Sequence, residues 1–189
     1  MLADDIFIHP SAEVHASAQI GKGTKIWNNS HVRERATIGE DCNLGKDIYV
    51  DVDVTLGNRV RIQNGVSIYK GVNLEDDVFV GPHVCFTNDL YPRAFNKSWQ
   101  IIETFVHKGA SIGAGATIVC GVTIGRYAMV GVASVVTHDV PPHGLVMGNP
   151  ARLKGYVCKC GLPIKSTKTG KQAYKCPSCN ETITLSIDP

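Results

Sequence analysis

Large apolar residues recur at every sixth position through the first half of the chain. Starting at Ile8, fourteen successive positions of this series carry large apolar side chains: Ile8, Val14, Ile20, Ile26, Val32, Ile38, Leu44, Val50, Leu56, Ile62, Ile68, Leu74, Val80 and Phe86. The residue two positions earlier is small or β-branched in each case, and a spacing of two is strand alternation. The period therefore predicts a short strand followed by a corner, repeated into a solenoid whose coils bury their apolar residues against one another. An ordinary β-sandwich is the alternative, although its strands recur about every 8–12 residues.

The series breaks once and then resumes. The second run consists of Val106, Ile112, Ile118, Ile124, Val130 and Val136. Phe86 and Val106 are 20 residues apart, which is not a multiple of six. Residues 87–105 are therefore predicted to be an insertion, and a loop of this length in a compact domain is usually functional. The solenoid is expected to end near Thr137, because Pro141 and Pro142 cannot donate ladder hydrogen bonds.

This repeat resembles that of the hexapeptide-repeat, left-handed parallel β-helix proteins. The resemblance implies an all-β fold in which three hexapeptides form one triangular coil, and a homotrimer; the left-handed crossover is also taken from the family. We expect the β-helix over residues 1–155, with the active-site loop 87–105 protruding from it, and a small zinc-ribbon-like tail over 156–189.

Several stretches resemble a narrower group, the N-acetyltransferases of nucleotide-linked 3-amino sugars. They are Ile-Gln-Asn-Gly-Val-Ser-Ile-Tyr at 62–69, Gly-Pro-His at 81–83, Phe-Thr-Asn at 86–88, Pro-Arg at 92–93 and Ile-Val-Cys-Gly-Val-Thr-Ile-Gly at 118–125. The resemblance implies acetyl-CoA as co-substrate and a UDP- or dTDP-linked amino sugar as acceptor. It also implies a role in surface-polysaccharide (O-antigen) biosynthesis.

Asn88 at the start of the insertion indicates which acceptor is used. Hexapeptide O-acetyltransferases use a histidine as general base, because a hydroxyl is a weak nucleophile until it loses its proton. An amide is not basic, but a neutral amine needs no such base. Asn88 therefore favours direct attack by an amine that it orients. His83 is the rival base, and with it an O-acetyltransferase is the alternative function.

Other candidate substrate-binding residues lie in the insertion and in the resembling stretches. Arg93 could hold a carboxylate or a diphosphate. Asp89 places a negative charge beside the site and slightly disfavours a C6 carboxylate, unless Arg93 compensates for it. By resemblance, Gln63, Asn64 and Tyr69 line the nucleotide-sugar pocket.

The resemblance also places acetyl-CoA in a groove between neighbouring solenoids. Small residues of the later coils would let the pantetheine approach, and cations near the C-terminal end could bind its phosphates. These candidates are Gly113, Ala114, Gly131 and Ala133, followed by Arg126, Arg152 and Lys154.

Two close cysteine pairs stand near the C-terminus. Cys158 and Cys160 are separated by fifteen residues from the second pair, Cys176 and Cys179. In a reducing compartment this pattern predicts a structural zinc site with four thiolates, although the first pair has one intervening residue instead of two. Disulfides or free thiols are the alternative.

Charge and hydropathy exclude several partners. The 189 residues contain 19 Lys and Arg against 17 Asp and Glu, a net charge of +2, and a nucleic-acid binder would show a larger basic excess. No apolar run reaches the length of a membrane span, and the N-terminus does not resemble a signal peptide. We therefore expect a cytoplasmic protein that binds neither nucleic acid nor membranes.

A γ-class carbonic anhydrase and a scaffold without enzymatic activity are the alternative functions from other classes. Some β-helices are γ-class carbonic anhydrases whose zinc is bound by histidines of adjacent subunits. His138 and His143 are the candidates here, without a third histidine in phase. A scaffold without enzymatic activity is disfavoured by the insertion and its polar residues.

Overall fold

A computed structural model describes residues 5–164 and 170–187. Every regular element in that part of the chain is a β-strand, so the all-β prediction is confirmed. The same residues contain no helix long and apolar enough to cross a membrane.

Within the described residues, the coils build three parallel sheets. The first sheet contains β1 (Phe7–Ile8), β4 (Lys25–Ile26), β7 (Asn43–Leu44), β10 (Arg61–Ile62), β13 (Phe79–Val80), β16 (Ser111–Ile112), β19 (Met129–Val130) and β21 (Gly144–Gly148). The second contains β2 (Glu13–Val14), β5 (His31–Val32), β8 (Tyr49–Val50), β11 (Ser67–Ile68), β14 (Cys85–Phe86), β17 (Thr117–Ile118) and β20 (Val135–Val136). The third contains β3 (Gln19–Ile20), β6 (Thr37–Ile38), β9 (Thr55–Leu56), β12 (Val72–Leu74), β15 (Thr104–Val106) and β18 (Thr123–Ile124).

The strand register gives the size of one coil. Phe7 pairs with Lys25 and Lys25 pairs with Asn43, so one coil takes 18 residues, or three hexapeptides. Successive strands pass from the first sheet to the second and then to the third. The predicted solenoid is confirmed, and its three-sided coil is consistent with a left-handed β-helix.

The core is the column of inward residues that the six-residue period picks out. From Ile26 onward, the large residues of the series are at most 2% exposed and form one continuous cluster. Ile8, Val14 and Ile20 of the first coil are partly buried and pack against its end.

The corners place backbone very close to backbone in neighbouring coils. A Cβ on Gly81 would lie 2.6 Å from the backbone nitrogen of Ala114. The glycines that often follow the large apolar residue are thus explained by the spacing of the coils rather than by a ligand.

The insertion leaves the solenoid at the corner between the second and third sheets. It connects β14 to β15, and β15 pairs in register with β12 of the preceding coil. Thr104 and Phe105, which were predicted to belong to the insertion, are therefore part of β15.

The solenoid does not end near Thr137 as predicted. β21 pairs in parallel with β19, and Val140 forms a bridge with Ile124, so the coil continues past both prolines. Pro141 and Pro142 occupy a corner, where no ladder hydrogen bond is required of them.

The first sheet is closed by two antiparallel strands. β22 (Ala151–Val157) pairs with β21, and β23 (Pro163–Ile164) pairs with the end of β22. A separate hairpin follows, formed by β24 (Gly170–Lys175) and β25 (Thr182–Ile187). The predicted boundary at residue 155 falls inside β22. The division into two domains stays a prediction.

Candidate active site

The two ends of the insertion are fastened together at Asn88. Its backbone carbonyl accepts a hydrogen bond from the Ile102 amide at 3.1 Å, and its Nδ2 donates to the Lys70 carbonyl at 3.2 Å. Thr87 Oγ1 accepts from the Cys120 amide of the next coil at 2.9 Å. The half-buried side chain of Asn88 is therefore held at a fixed place where the loop leaves the solenoid.

A groove of about 650 Å³ lies at the base of the insertion, and we call it the loop groove. It is lined by Leu90 and Ile102 from the insertion, by the corner 119–122 and by residues 137–139. The loop thus forms one wall of a groove whose other wall consists of the two following corners.

Asp89 and Arg93 are turned toward the loop itself. Asp89 Oδ1 accepts a hydrogen bond from the Tyr91 amide at 2.9 Å, and Arg93 Nη1 donates to the Pro92 carbonyl at 2.7 Å. Among the described residues, no carboxylate forms an ion pair with Arg93. Its other guanidinium nitrogens are therefore open to an anionic ligand.

The two catalytic candidates are not brought together within one chain. His83 lies at the corner between the first and second sheets, and Asn88 lies at the other end of β14. Five residues of extended chain span about 16 Å. The His83 ring covers Gly65, where an added Cβ would be 2.6 Å from Nδ1.

The substrate-binding candidates fall at two corners. Tyr69 immediately precedes Lys70, whose carbonyl accepts the hydrogen bond from Asn88. The centroid of the Tyr69 ring lies 5.9 Å from that of Tyr49. Gln63 and Asn64 instead line a groove of about 350 Å³, at the corner that holds His83 one coil later. Asn64 Oδ1 accepts a hydrogen bond from the Lys46 amide at 3.0 Å, so this side chain helps to hold adjacent coils together.

The small residues proposed for the cofactor lie where successive coils meet. Ala133 donates its amide to the carbonyl of Ala114 at 2.9 Å. A Cβ on Gly113 would be 2.7 Å from Val132 N, and one on Gly131 would be 2.5 Å from Met147 Cγ. Close approach of the coils therefore already accounts for both glycines.

Two of the three candidate cations line grooves near the C-terminal end of the solenoid. Arg126 lines a groove of about 740 Å³, the Arg126 groove, together with Asp139, Pro141 and Pro142. Arg152 lines another groove of about 360 Å³, the Arg152 groove, with His138 and Asp139. Since Asp139 lines both of these and the loop groove, the three grooves adjoin at one residue. Lys154 lies on the exposed part of β22.

The Arg126 groove also contains a histidine–carboxylate pair that was missed in the sequence. His107 Nδ1 donates to Glu75 Oε1 at 2.8 Å, and Glu75 Oε2 accepts from the Lys108 amide at 2.8 Å. These hydrogen bonds hold the pKa of Glu75 below its ordinary value, that from His107 contributing most. The sequence contained a signal for this pair, because Glu75 and His107 each follow the inward residue of paired strands. Without the insertion they would be separated by one coil of 18 residues, and the insertion hides this spacing.

The histidines considered for a carbonic anhydrase have different surroundings. His138 lines the loop groove and the Arg152 groove. The ring of His143 instead stacks on Tyr127, with 5.4 Å between the centroids, and its Nδ1 donates to the Val157 carbonyl.

The four tail cysteines converge on one point. Their Sγ atoms all lie within 4.8 Å of one another, with 3.5 Å between Cys158 and Cys179 and 3.7 Å between Cys160 and Cys176. Four thiolates bound tetrahedrally to zinc at about 2.3 Å would be about 3.8 Å apart, whereas a disulfide requires about 2.05 Å. Backbone N–H groups of Cys179 and Ser178 lower the pKa of Cys176 to about 7, whereas burial raises the pKa of its neighbour Cys158 to about 12. The residues therefore fit a four-thiolate metal site.

Two models of hexapeptide-repeat transferases match parts of the solenoid, all within residues 17–70. Residues 17–47 match the bacterial transferase hexapeptide model (six repeats), and residues 35–70 match the hexapeptide repeat of succinyl-transferase.

One relative of known activity is more specific than the family models. The chain is 60% identical over 63 residues to a dTDP-3-amino-3,6-dideoxy-α-D-galactopyranose 3-N-acetyltransferase from Aneurinibacillus thermoaerophilus. That match covers 33% of this chain and 33% of the relative, so it spans a third of the relative's length. The resemblance to N-acetyltransferases of nucleotide-linked 3-amino sugars is confirmed.

Solved structures agree with the fold. A variant of GDP-perosamine N-acetyltransferase from Caulobacter crescentus, in complex with CoA and GDP-perosamine, is 27% identical with a TM-score of 0.53. The match covers 79% of this chain and 56% of that one. A hexapeptide-repeat acetyltransferase from Vibrio cholerae complexed with acetyl-CoA is also 27% identical, with a TM-score of 0.51 and coverage of 60% and 69%.

Proposed function

We propose that this protein is an acetyl-CoA-dependent N-acetyltransferase. Its acceptor would be the 3-amino group of a dTDP- or UDP-linked amino sugar destined for a surface polysaccharide such as O-antigen. The observation that carries the proposal is the anchored Asn88 beside the loop groove. The 60% identical relative, which is named for acetylation of a dTDP-linked 3-amino sugar, supports the same chemistry.

The reaction needs little acid–base assistance from the protein. The neutral amine attacks the thioester carbonyl carbon, the C–N bond forms, and the C–S bond breaks to release CoA as a thiolate. The ammonium proton passes to that thiolate or to water. Because Asn88 Nδ2 is bound to Lys70, its Oδ1 is left to accept a hydrogen bond from the amine and to orient it.

The three adjoining grooves offer a path for the co-substrate. The thioester would lie in the loop groove, and the CoA phosphates would lie near Arg126, Arg152 and Lys154. A guanidinium binds phosphate oxygens with two parallel hydrogen bonds, which suits this role.

An acceptor panel tests the reaction directly. We expect thiol release from acetyl-CoA with dTDP-3-amino-3,6-dideoxyhexose and none above background with its 3-hydroxy counterpart, because the amide of Asn88 cannot take the proton of a hydroxyl. A UDP-linked 3-amino-glucuronate in the same panel compares the nucleotide and the C6 group. Faster turnover of the hydroxyl sugar would favour the O-acetyltransferase and reject this proposal.

The loop supports a homotrimer. Tyr91 and Phe95 at its tip are 76% and 82% exposed in the single chain, and aromatic side chains of this size are usually covered in the working assembly. We expect sedimentation equilibrium to give three times the chain mass of 20.4 kDa. We also expect Tyr91→Ser combined with Phe95→Ser to weaken the assembly; a monomeric parent protein would contradict the proposal.

The four tail cysteines would hold a structural zinc ion. A closed set of four thiolates leaves no position for substrate, so the ion would stabilise the tail and take no part in acetyl transfer. Metal analysis should give one zinc per chain and none after replacement of the four cysteines by serine. Cys85→Ser is the control, since this exposed thiol lies outside the cluster. Unchanged zinc in the fourfold variant would reject the site.

A further inference from the structure

We propose that the four-cysteine metal site is a clamp that holds β22 beside the Arg152 groove, so that metal occupancy sets the affinity for the anionic co-substrate. The identity of that co-substrate, acetyl-CoA, rests on the proposed function. The clamp itself is argued from the contacts between the tail and the solenoid.

β22 connects the groove to the metal site directly. Arg152 stands near its start, Lys154 in its middle, and Cys158 follows its last residue. Six residues of strand place Cys158 about 20 Å from Arg152. Arg152 and Lys154 have β21 as their neighbour on one side only, because β23 pairs with Tyr156 and Val157 alone. The pairing with β21 is also irregular, with a register shift between Leu145 and Val146. The cationic stretch of β22 is therefore paired along one edge only, and the far end of the strand depends on what fixes Val157.

Val157 is fixed by one residue of the last coil. Its amide donates to the His143 carbonyl at 2.7 Å, and its carbonyl accepts from His143 Nδ1 at 2.9 Å. Burial lowers the pKa of His143, and its ring stacks on that of Tyr127. The His143 amide donates in turn to the Arg126 carbonyl at 2.8 Å. A short chain of bonds thus runs from the first metal ligand to the residue that gives the Arg126 groove its charge.

The metal knuckle also lies against the face of the first sheet. A Cβ on Gly161 would be 3.5 Å from Met129 Cε, so the knuckle 158–161 lies close to the outward side of β19. Lys159 pairs with Glu181, which ties this knuckle to the start of β25. The knuckle is therefore seated between the solenoid and the hairpin.

The tail is too small to keep this arrangement without its metal. Its core is separate from that of the solenoid and consists of Cys158, Ile164, Cys176, Ile183 and Leu185. Three aliphatic side chains cannot offset the entropy of ordering some thirty residues, and small domains of this kind depend on metal or disulfides. Loss of the metal should release the knuckle, and with it the two hydrogen bonds between Val157 and His143. The solenoid core should remain folded.

The test compares zinc-loaded protein with protein stripped by a chelator under reducing conditions. Hydrogen exchange should show that the Val157 amide loses its protection on stripping, while amides of β10 and β16 keep theirs. Calorimetry should show that the Kd for CoA rises about five- to tenfold, the effect of losing one charge-assisted contact. Added Zn²⁺ should restore both values.

Arg152→Ala should weaken CoA binding in loaded protein and have little further effect in stripped protein, because the two changes remove the same contact.

A second variant separates the clamp from metal binding. His143→Phe keeps an aromatic ring against Tyr127 but cannot donate to Val157. The variant keeps the backbone carbonyl that accepts from the Val157 amide, so we expect it to retain one zinc per chain, to lower the protection of that amide only in part and to raise the Kd for CoA. A protected Val157 amide and an unchanged Kd after stripping would overturn the clamp. If neither form binds CoA, the proposed function fails, and protection of Val157 alone then decides the clamp: loss on stripping supports it, and retention rejects it.

Discussion

Replacing Asn88 by alanine is expected to lower kcat for the amino sugar about 100-fold, the usual effect of losing the group that aligns two reactants. The variant removes the oxygen that we propose to orient the amine, and also the bond from Nδ2 to the Lys70 carbonyl. Because the backbone bond from Ile102 to Asn88 is retained, the ends of the loop should stay together. Steady-state thiol release measures the change.

Two further variants make this result specific. Asn88→Asp keeps an acceptor oxygen but cannot donate to Lys70, so we expect its kcat to lie between those of the parent and the alanine variant. Gln100→Ala changes an exposed residue of the same loop and should leave turnover unchanged. Full activity of Asn88→Ala would show that this amide does not position the substrate, and the proposed mechanism would have to be abandoned.

Ile62→Ala should be the most destabilising of the substitutions considered for the solenoid. Ile62 is fully buried and lies in register between Leu44 and Val80 of the adjacent coils, so truncation leaves a cavity that neither coil can fill. We expect a loss of about 2–5 kcal/mol in the free energy of unfolding. For a chain of this size that corresponds to a decrease in Tm of about 5–15 °C.

Arg61→Ala on the same strand is the matched control. Arg61 points outward and is exposed, so its truncation should change stability by no more than about 0.5 kcal/mol. Both variants are compared with the parent by thermal denaturation at one protein concentration. Equal Tm values for Ile62→Ala and Arg61→Ala would contradict the assignment of inward and outward positions.

The fold could be predicted well because its signal is local and repeated. Each coil repeats the same spacing, and a shift of one residue would turn its apolar side chains to solvent, so the register is specified many times over. The end of the solenoid was predicted wrongly, because the local sequence does not show whether a proline lies in a strand or at a corner. Pro141 and Pro142 were interpreted as a terminus, but proline is incompatible only with a paired strand position, and these two lie at a corner.

The candidate site could be predicted only in part. Asn88 and the insertion stood out because they interrupt the period. Gln63 and Asn64 were grouped with Asn88 by resemblance, yet they lie at a different corner, and Asn64 bonds the backbone of the coil before it. Within one chain these two residues and Asn88 form separate sites, so their common role stays a prediction.

By itself, the sequence determined the hexapeptide solenoid, the place where an insertion interrupts it and the two close cysteine pairs of the tail, since each of these depends on residue type and spacing along the chain. Only the tertiary structure decided which residues meet across coils. The pairing of Glu75 with His107, the junction of three grooves at Asp139 and the hydrogen bonds between His143 and Val157 all join residues that are not neighbours in sequence. Their proximity follows from the stacking of 18-residue coils around an insertion that is out of phase with them.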